Sequence, residues 1–346
     1  MLKKGFIKGL SFIIILLIIM SALNYIFILK TDHRYKLTQG LYLHKGNCYD
    51  VVFIGSSHMN AAMDPNVLWN EYGITSFNYA TGGQTINVTY YLLKEVLKQH
   101  KNPIVVVDLY YLGLESKYGD EGYTRSVIDN MRFSKNKLDA INNCTPAQDR
   151  INYLFPIFKY HYRWNQLKAN DFNLDLNFAY YVKGFNAGTD RYGKANTSNT
   201  SVTEMENIPN ESKEYLYKII DLSKKNGFKL IFTNIPCDYN DEDGTDNWVK
   251  STAKVLNTAS KIAKENDIPY IDYNAEVDEL GFDFKNDMNN AGHVNIWGSK
   301  ILSSDFGKYL KTNYQLTDHR SDINYNSWNE EYKISQIESL KKQLLK

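Results

Sequence analysis

The chain is poor in the residues that announce metal or redox chemistry. Its 346 residues hold three cysteines, Cys48, Cys144 and Cys237, scattered without C-x-x-C spacing. That scatter argues against a zinc ribbon or a redox pair and leaves one disulfide open. Net charge is nearly absent as well: 40 Lys and Arg stand against 39 Asp and Glu, giving +1. With no basic stripe interleaved with aromatics, nucleic acid is not an expected partner. Neither the G-x-G-x-x-G nor the P-loop spacing occurs, which removes the common nucleotide fingerprints. There is no internal repeat and no low-complexity tract. No metal-ligand set has suitable spacing, and no cofactor is implied. Asp318, His319 and Arg320 lie past the last helical pattern and read as a surface ion-pair turn.

What is present is enough apolar material for a substantial core, 43% of the residues. Tyrosine is abundant at 27 residues, a bias that carries no mechanism by itself. Residues Leu10 to Leu29 form an uncharged run of 20, rich in Ile and Leu, the length that crosses a bilayer core as a helix. Lys3, Lys4 and Lys8 precede it, so the positive-inside rule puts the N-terminus in the cytoplasm; Lys30, Arg34 and Lys36 beyond it weaken that vote. The expectation is a single-pass cell-membrane anchor with the rest of the chain extracytoplasmic. A cleaved signal peptide is the rival, but its apolar region would be shorter, about 7–15 residues, and end at an A-x-A-like site.

Beyond a polar linker, short apolar or aromatic runs bounded by turn residues read as strands: Asp50 to Gly55, Ser76 to Ala80, Pro103 to Leu112, Phe228 to Pro236 and Ile268 to Asn274. Helical spacing recurs between them over Thr85 to His100, Glu211 to Asn226 and Asp246 to Asn266. Strand alternating with helix predicts an α/β fold around a parallel sheet. The expected organisation is a cytoplasmic stub and anchor over residues 1–30, a linker over 31–48, one α/β domain over 49–315 and a tail with an amphipathic helix over 316–346. Within the domain, 113–207 is a Tyr-, Asn- and Asp-rich insertion, read as either a lid or a disordered surface segment.

Ligands of an open parallel sheet bind at the carboxyl ends of its strands. The first such loop is Gly55-Ser56-Ser57-His58, where a serine could present its hydroxyl beside free backbone N–H groups; equally, both serines could cap the turn and the next helix. After the second strand, Ala80-Thr81-Gly82-Gly83-Gln84 could hold an anionic oxygen or be an ordinary glycine turn. Near the end, Asp287-Met288-Asn289-Asn290-Ala291-Gly292-His293-Val294-Asn295 precedes a helix from Ile296 to Tyr314. Serine, acid and histidine at these places supply nucleophile, orienter and base. Other polar residues take plainer readings beside functional ones. His58 is a pocket wall, His161 is packed among aromatics or touches substrate, and Asp108 either faces the site or caps a turn.

On GSSH, the Gly82-Gly83 turn and the Asp287 to His293 loop, the chain resembles the SGNH (GDSL-like) hydrolase superfamily over most of residues 49 to 315. Within it, GSSH and GHVN are similar to membrane-anchored surface-polymer acyl-transfer proteins, including teichoic acid D-alanyl transfer proteins and alginate O-acetyltransferase relatives. The resemblance implies a three-layer flavodoxin-like sheet, with Ser57 as nucleophile, His293 as base and Gly82 or Gly83 as oxyanion donor. Two departures matter. The family's acid stands three residues before the histidine, where this chain has Asn290; Asp287 is the preferred orienter here, Asn290 the alternative. The oxyanion asparagine after the third strand is absent, its place filled by Asp108, Leu109, Tyr110 and Tyr111. The resemblance thus implies acyl transfer, O-acetyl or D-alanyl, onto a cell-surface glycopolymer, with a multi-spanning membrane-bound O-acyltransferase as partner. Hydrolysis of surface-polymer esters is the second function, and non-catalytic polymer binding the third.

Overall fold

The computed structural model describes residues 2–30, 33–43, 49–173, 177–198, 201–240, 249 and 252–344. Cys48, parts of the expected linker, and the start of the helix expected from Asp246 lie outside the described residues. Helix α1 (Leu2–Phe27) is followed by α2 (His33–Leu43), and then strand β1 (Val51–Ile54) begins the sheet. Next come α3 (Ser57–Ala62), α4 (Pro65–Tyr72), β2 (Ser76–Asn78), α5 (Ile86–Gln99) and β3 (Ile104–Asp108). The insertion is mostly short helices: α6 (Glu121–Ile128), α7 (Lys135–Cys144), α8 (Arg150–Leu154), α9 (Ile157–Tyr160), a 3-10 turn (His161–Asn165), α10 (Ala169–Phe172) and α11 (Asn177–Tyr181). The α/β alternation then resumes with α12 (Asn210–Asn226), β4 (Leu230–Asn234), α13 (Thr252–Glu265) and β5 (Tyr270–Asp272). The chain finishes through α14 (Tyr273–Glu276), α15 (Phe284–Asp287), α16 (Ile296–Asn313) and α17 (Asn326–Leu344).

The five strands are all parallel, in the order β2-β1-β3-β4-β5, the flavodoxin-like arrangement. Because side chains alternate across a strand, a parallel sheet buried on both faces needs two cores. Val52, Ile54, Val105, Val107 and Phe232 point into one, with α5, α12 and α13 supplying Leu92, Leu216 and Leu256. Val51, Phe53, Val106, Ile231 and Ile271 point into the other, filled by Met59, Leu68, Leu302 and Phe306 of α3, α4 and α16. The result is a three-layer sandwich.

Local signals end the helices as their chemistry requires. Asp64 caps α4 by accepting the Asn66 N–H at 2.8 Å, Pro65 opens it, and Gly73 closes it at φ 66. Gly227 ends α12 at φ 76. One expectation changes. Residues 33–43, read as part of a polar linker, are helical and bury Leu37 and Leu41 in the first core. The amphipathic helix expected in the tail packs onto the domain core: its Trp328 is buried against Trp69 and Tyr49. Cys144 and Cys237 are both buried.

The apolar N-terminal helix is long enough to cross a membrane over Lys4–Phe27, 24 residues. Every residue from Lys4 to Ile19 is exposed, so this helix has no packing partner among the described residues over that length.

Candidate active site

In this strand order the chain leaves β1 in one direction toward β2 and later returns on the other side as β3, so a crevice opens at the carboxyl ends of β1 and β3. The first loop enters it under tight constraint. Gly55 has φ +140, and a Cβ there would fall 2.0 Å from Oδ2 of Asp108, so only glycine fits. The Asp108 carboxylate at the end of β3 accepts the Ser56 N–H at 2.5 Å, the Ser56 hydroxyl at 3.1 Å and the Tyr110 N–H at 3.1 Å. Ser56 Oγ in turn accepts the His58 N–H at 3.2 Å and caps α3. The two serines therefore divide the work: Ser56 is buried in the cap, and Ser57 stands half-buried at the first position of α3.

Ser57 Oγ lies 2.8 Å from Nε2 of His293. The loop that carries His293 is closed by a Met288–Val294 bridge and by the Asn289 N–H donating to the His293 carbonyl at 2.7 Å. Asn295, capping α16 through its Oδ1, also donates its amide to the carbonyls of Asp190, Asn286 and Met288, tying the loop to the helix behind it. Asn290 Oδ1 accepts the backbone N–H groups of Gly292 at 3.0 Å and His293 at 2.9 Å and sits 3.0 Å from His293 Nδ1. The two backbone donors identify that atom as the amide oxygen, so the imidazole must carry its proton on Nδ1. Nε2 is then the bare nitrogen, and the Ser57 hydroxyl donates to it.

Asp287, the preferred orienter from sequence, is not part of this chain of contacts. Its carboxylate accepts the Asp283 N–H at 2.8 Å at the start of α15, and Asn290 takes the place beside the imidazole. The reason is one of reach: three residues before the histidine, the side chain folds back across the tight turn, whereas position 287 still belongs to α15.

Gly82 and Gly83 line the same cavity of about 820 Å³, with Ser57, His58, Tyr110 and His293. That is the size of a small-molecule site. Gly83 has φ +61, and a Cβ would fall 2.0 Å from the Tyr123 ring, which packs directly over the turn. His58 is buried between Tyr110, with ring centroids 3.4 Å apart, and His293, at 4.8 Å. Burial holds the His58 pKa well below the ordinary histidine value, with the His293 imidazole adding to the shift. His293 is lowered too, by desolvation. Both rings are therefore held toward the neutral form that a base requires.

Two candidates fall outside the cavity lining. Asp108 struts the elbow from behind, and burial raises its pKa to about 6 against the lowering effect of its Ser56 and Tyr110 partners. His161 is exposed in the 3-10 turn, its Nδ1 3.0 Å from the Phe158 carbonyl, in a segment packed on α1. The insertion is accordingly not one lid. Tyr123, Asn186 and Gly188 help wall the cavity, while residues 147–172 contribute none of its lining among the described residues. Sequence reasoning missed Arg34 and Tyr123 as lining residues. Arg34 read only as charge flanking the apolar run, and no local pattern marks Tyr123.

No family model matches the chain, and no curated protein matches it. Among solved structures, one of a Bacteroides fragilis protein proposed to be an acylhydrolase aligns over 80% of this chain and 95% of its own, with 13% identity and a TM-score of 0.38. A likeness of that extent transfers no activity.

Proposed function

We propose that the chain is a membrane-anchored serine enzyme that moves an acyl group, O-acetyl or D-alanyl, onto a hydroxyl of a cell-surface glycopolymer. The observation that carries this reading is the 2.8 Å contact from Ser57 Oγ to a His293 whose tautomer leaves Nε2 free to accept the proton. In the first half-reaction a lone pair of Ser57 Oγ attacks the acyl carbonyl carbon while its proton passes to Nε2. The Gly82-Gly83 turn, bare of side chains, is the donor assigned to the oxyanion. Collapse expels the leaving oxygen, which takes the proton back from Nε2, and the acyl group remains as an ester on Ser57. A sugar hydroxyl then repeats the sequence in reverse. Tyr110 and Tyr111 stand where hydrolytic relatives of the resembled superfamily keep an asparagine, which favours transfer over hydrolysis. The donor is assigned to a multi-spanning membrane-bound O-acyltransferase, because no cytosolic acyl donor reaches the outer face unaided.

The test is a fluorophosphonate or an activated acetyl ester offered to the full chain in detergent, with the adduct located by mass spectrometry. The expected adduct is on Ser57; Ser57→Ala removes it without unfolding the protein, and Ser56→Ala leaves it in place. An adduct on another residue, or none on folded protein, would overturn the reading and leave polymer binding without turnover.

A further inference from the structure

The spanning helix ends against the insertion in a way that fixes where a bilayer surface would lie. From Lys4 to Ala22 helix α1 carries almost no protein contact, and only from about Leu23 onward does it become half-buried. At about 1.5 Å per residue that free length is about 28 Å, close to the roughly 30 Å of a hydrocarbon core, with Lys4 and Lys8 at its far end reaching their ammonium groups out to the opposite headgroups. The docked end follows at once. The Ile157 N–H donates to Asn24 Oδ1 at 3.0 Å, the Arg163 guanidinium donates to the Phe27 carbonyl, and Lys30 Nζ donates to the Asp171 carbonyl at 2.7 Å. Arg163 is in turn held by the Asp171 carboxylate at 2.7 Å. Thus α9, the His161–Asn165 turn and α10 form a bracket around the exit of α1.

This bracket exposes large aromatic rings where a water-facing surface would hide them. Trp164 is 71% exposed, and Phe158, Tyr162 and Phe172 are each more than half exposed. Aromatic residues of this kind, Trp and Tyr above all, are enriched where membrane meets water, because their rings are amphipathic. Their polar neighbours Asn165, Gln166 and Lys168 are also exposed, the mixture an interface tolerates and a hydrocarbon core does not.

We propose that residues 157–172 are an aromatic foot resting in the headgroup layer of the bilayer that α1 spans, an inference that rests on reading α1 as a membrane anchor. The occupant of the exposed rings is lipid, argued from their continuity with the helix exit and from the length match. The foot makes the catalytic domain's height above the bilayer a property of the fold rather than of a flexible tether. Lys30 lies in the bracket, and His33 and Arg34 line the catalytic cavity. Three Cα–Cα steps of 3.8 Å bring His33 within about 11 Å of Lys30. The cavity is thereby held close to the membrane surface, within reach of a substrate that is itself tethered to lipid.

The test uses the full chain reconstituted into phosphatidylcholine–phosphatidylglycerol vesicles with and without brominated acyl chains. Flotation reports insertion, and the difference in emission between wild type and Trp164→Phe isolates Trp164. The expected result is that the chain floats and that the Trp164 emission loses most of its intensity in brominated lipid. If the chain floats while Trp164 emits equally in both lipids, the foot is overturned, the anchor stands, and the rings are left for a protein partner. If the chain does not float, anchor and foot fall together.

Discussion

Asn290 reaches His293 with an amide oxygen where serine triads usually place a carboxylate, and the difference is one of charge. The amide fixes the tautomer through its 3.0 Å contact but cannot stabilise an imidazolium as an anion does. Two outcomes follow for acylation followed in a single turnover. Asn290→Ala, which loses the orienting contact, is expected to slow the reaction by about 10²-fold or more, with about 10⁴ the upper bound set by loss of the acid in serine triads. Asp287→Asn is expected to cost little, because that carboxylate meets Asp283 rather than the base. Equal losses from both would sink the assignment. The same contact governs pH dependence. On the proposed reading His293 acts as base when neutral, and desolvation lowers its pKa, so the rate should rise with pH through a value below the ordinary 6.5 and stay level above it. In Asn290→Asp a carboxylate favours the imidazolium, raises that pKa and moves the acid limb to higher pH; a pH–rate profile of the two proteins would show a limb that fails to move if the carboxylate does not reach the ring.

Elements meet at the site through one strut. Asp108, the last residue of β3, braces the elbow between β1 and α3 by accepting two backbone N–H groups and the Ser56 hydroxyl. On the proposed reading it positions Ser57 rather than binding substrate. Asp108→Ala orphans both buried N–H groups at about 1–3 kcal/mol each, so a loss on the order of 2–6 kcal/mol is expected in chemical denaturation. The acylation rate should fall with it, while KM stays near the wild-type value, since the side chain does not line the catalytic cavity. A rise in KM at unchanged kcat would instead restore Asp108 to the substrate. Helix α16 receives an analogous brace from Asn295, which ties the His293 loop at Met288 to α15 at Asn286 and to the insertion at Asp190.

At the scale of the whole molecule, the anchor, the sheet and the insertion are joined so that the cavity draws on residues as far apart as Arg34, Ser57, Gly82, Tyr123 and His293. The proposed orientation rests on the lysines before the apolar run, which favour a cytoplasmic N-terminus against the weaker counter-vote of Lys30, Arg34 and Lys36. Arg191 and Lys194 are exposed in the part of the chain that this orientation places outside. Trypsin added to intact cells is therefore expected to cut the chain there. If everything after Asp50 stays protected until the cells are lysed, the extracytoplasmic placement is wrong.

Much of this architecture is legible before folding, because parallel strands buried on both faces must be apolar and short. All five observed strands fall within the predicted runs, and the long amphipathic helices match their patterns except at their ends. Ser57 and His293 were legible for a related reason: a strand's carboxyl end followed by a turn is where a sheet presents reactive groups. Residues 33–43 were not, since their polar composition hides the few positions, Leu37 and Leu41 among them, that the first core buries. Sequence alone determined the apolar span and the α/β class and singled out Ser57 and His293, which the fold sets 2.8 Å apart; each depends on local periodicity or on a position at a strand end. Only the tertiary structure shows that Ser57 rather than Ser56 meets His293 Nε2, that Asn290 rather than Asp287 meets Nδ1, and where Asp108, His161 and Tyr123 lie. Those choices turn on distances of a few ångströms between segments remote in sequence, and a side chain's chemistry does not reveal which partner the fold will set beside it.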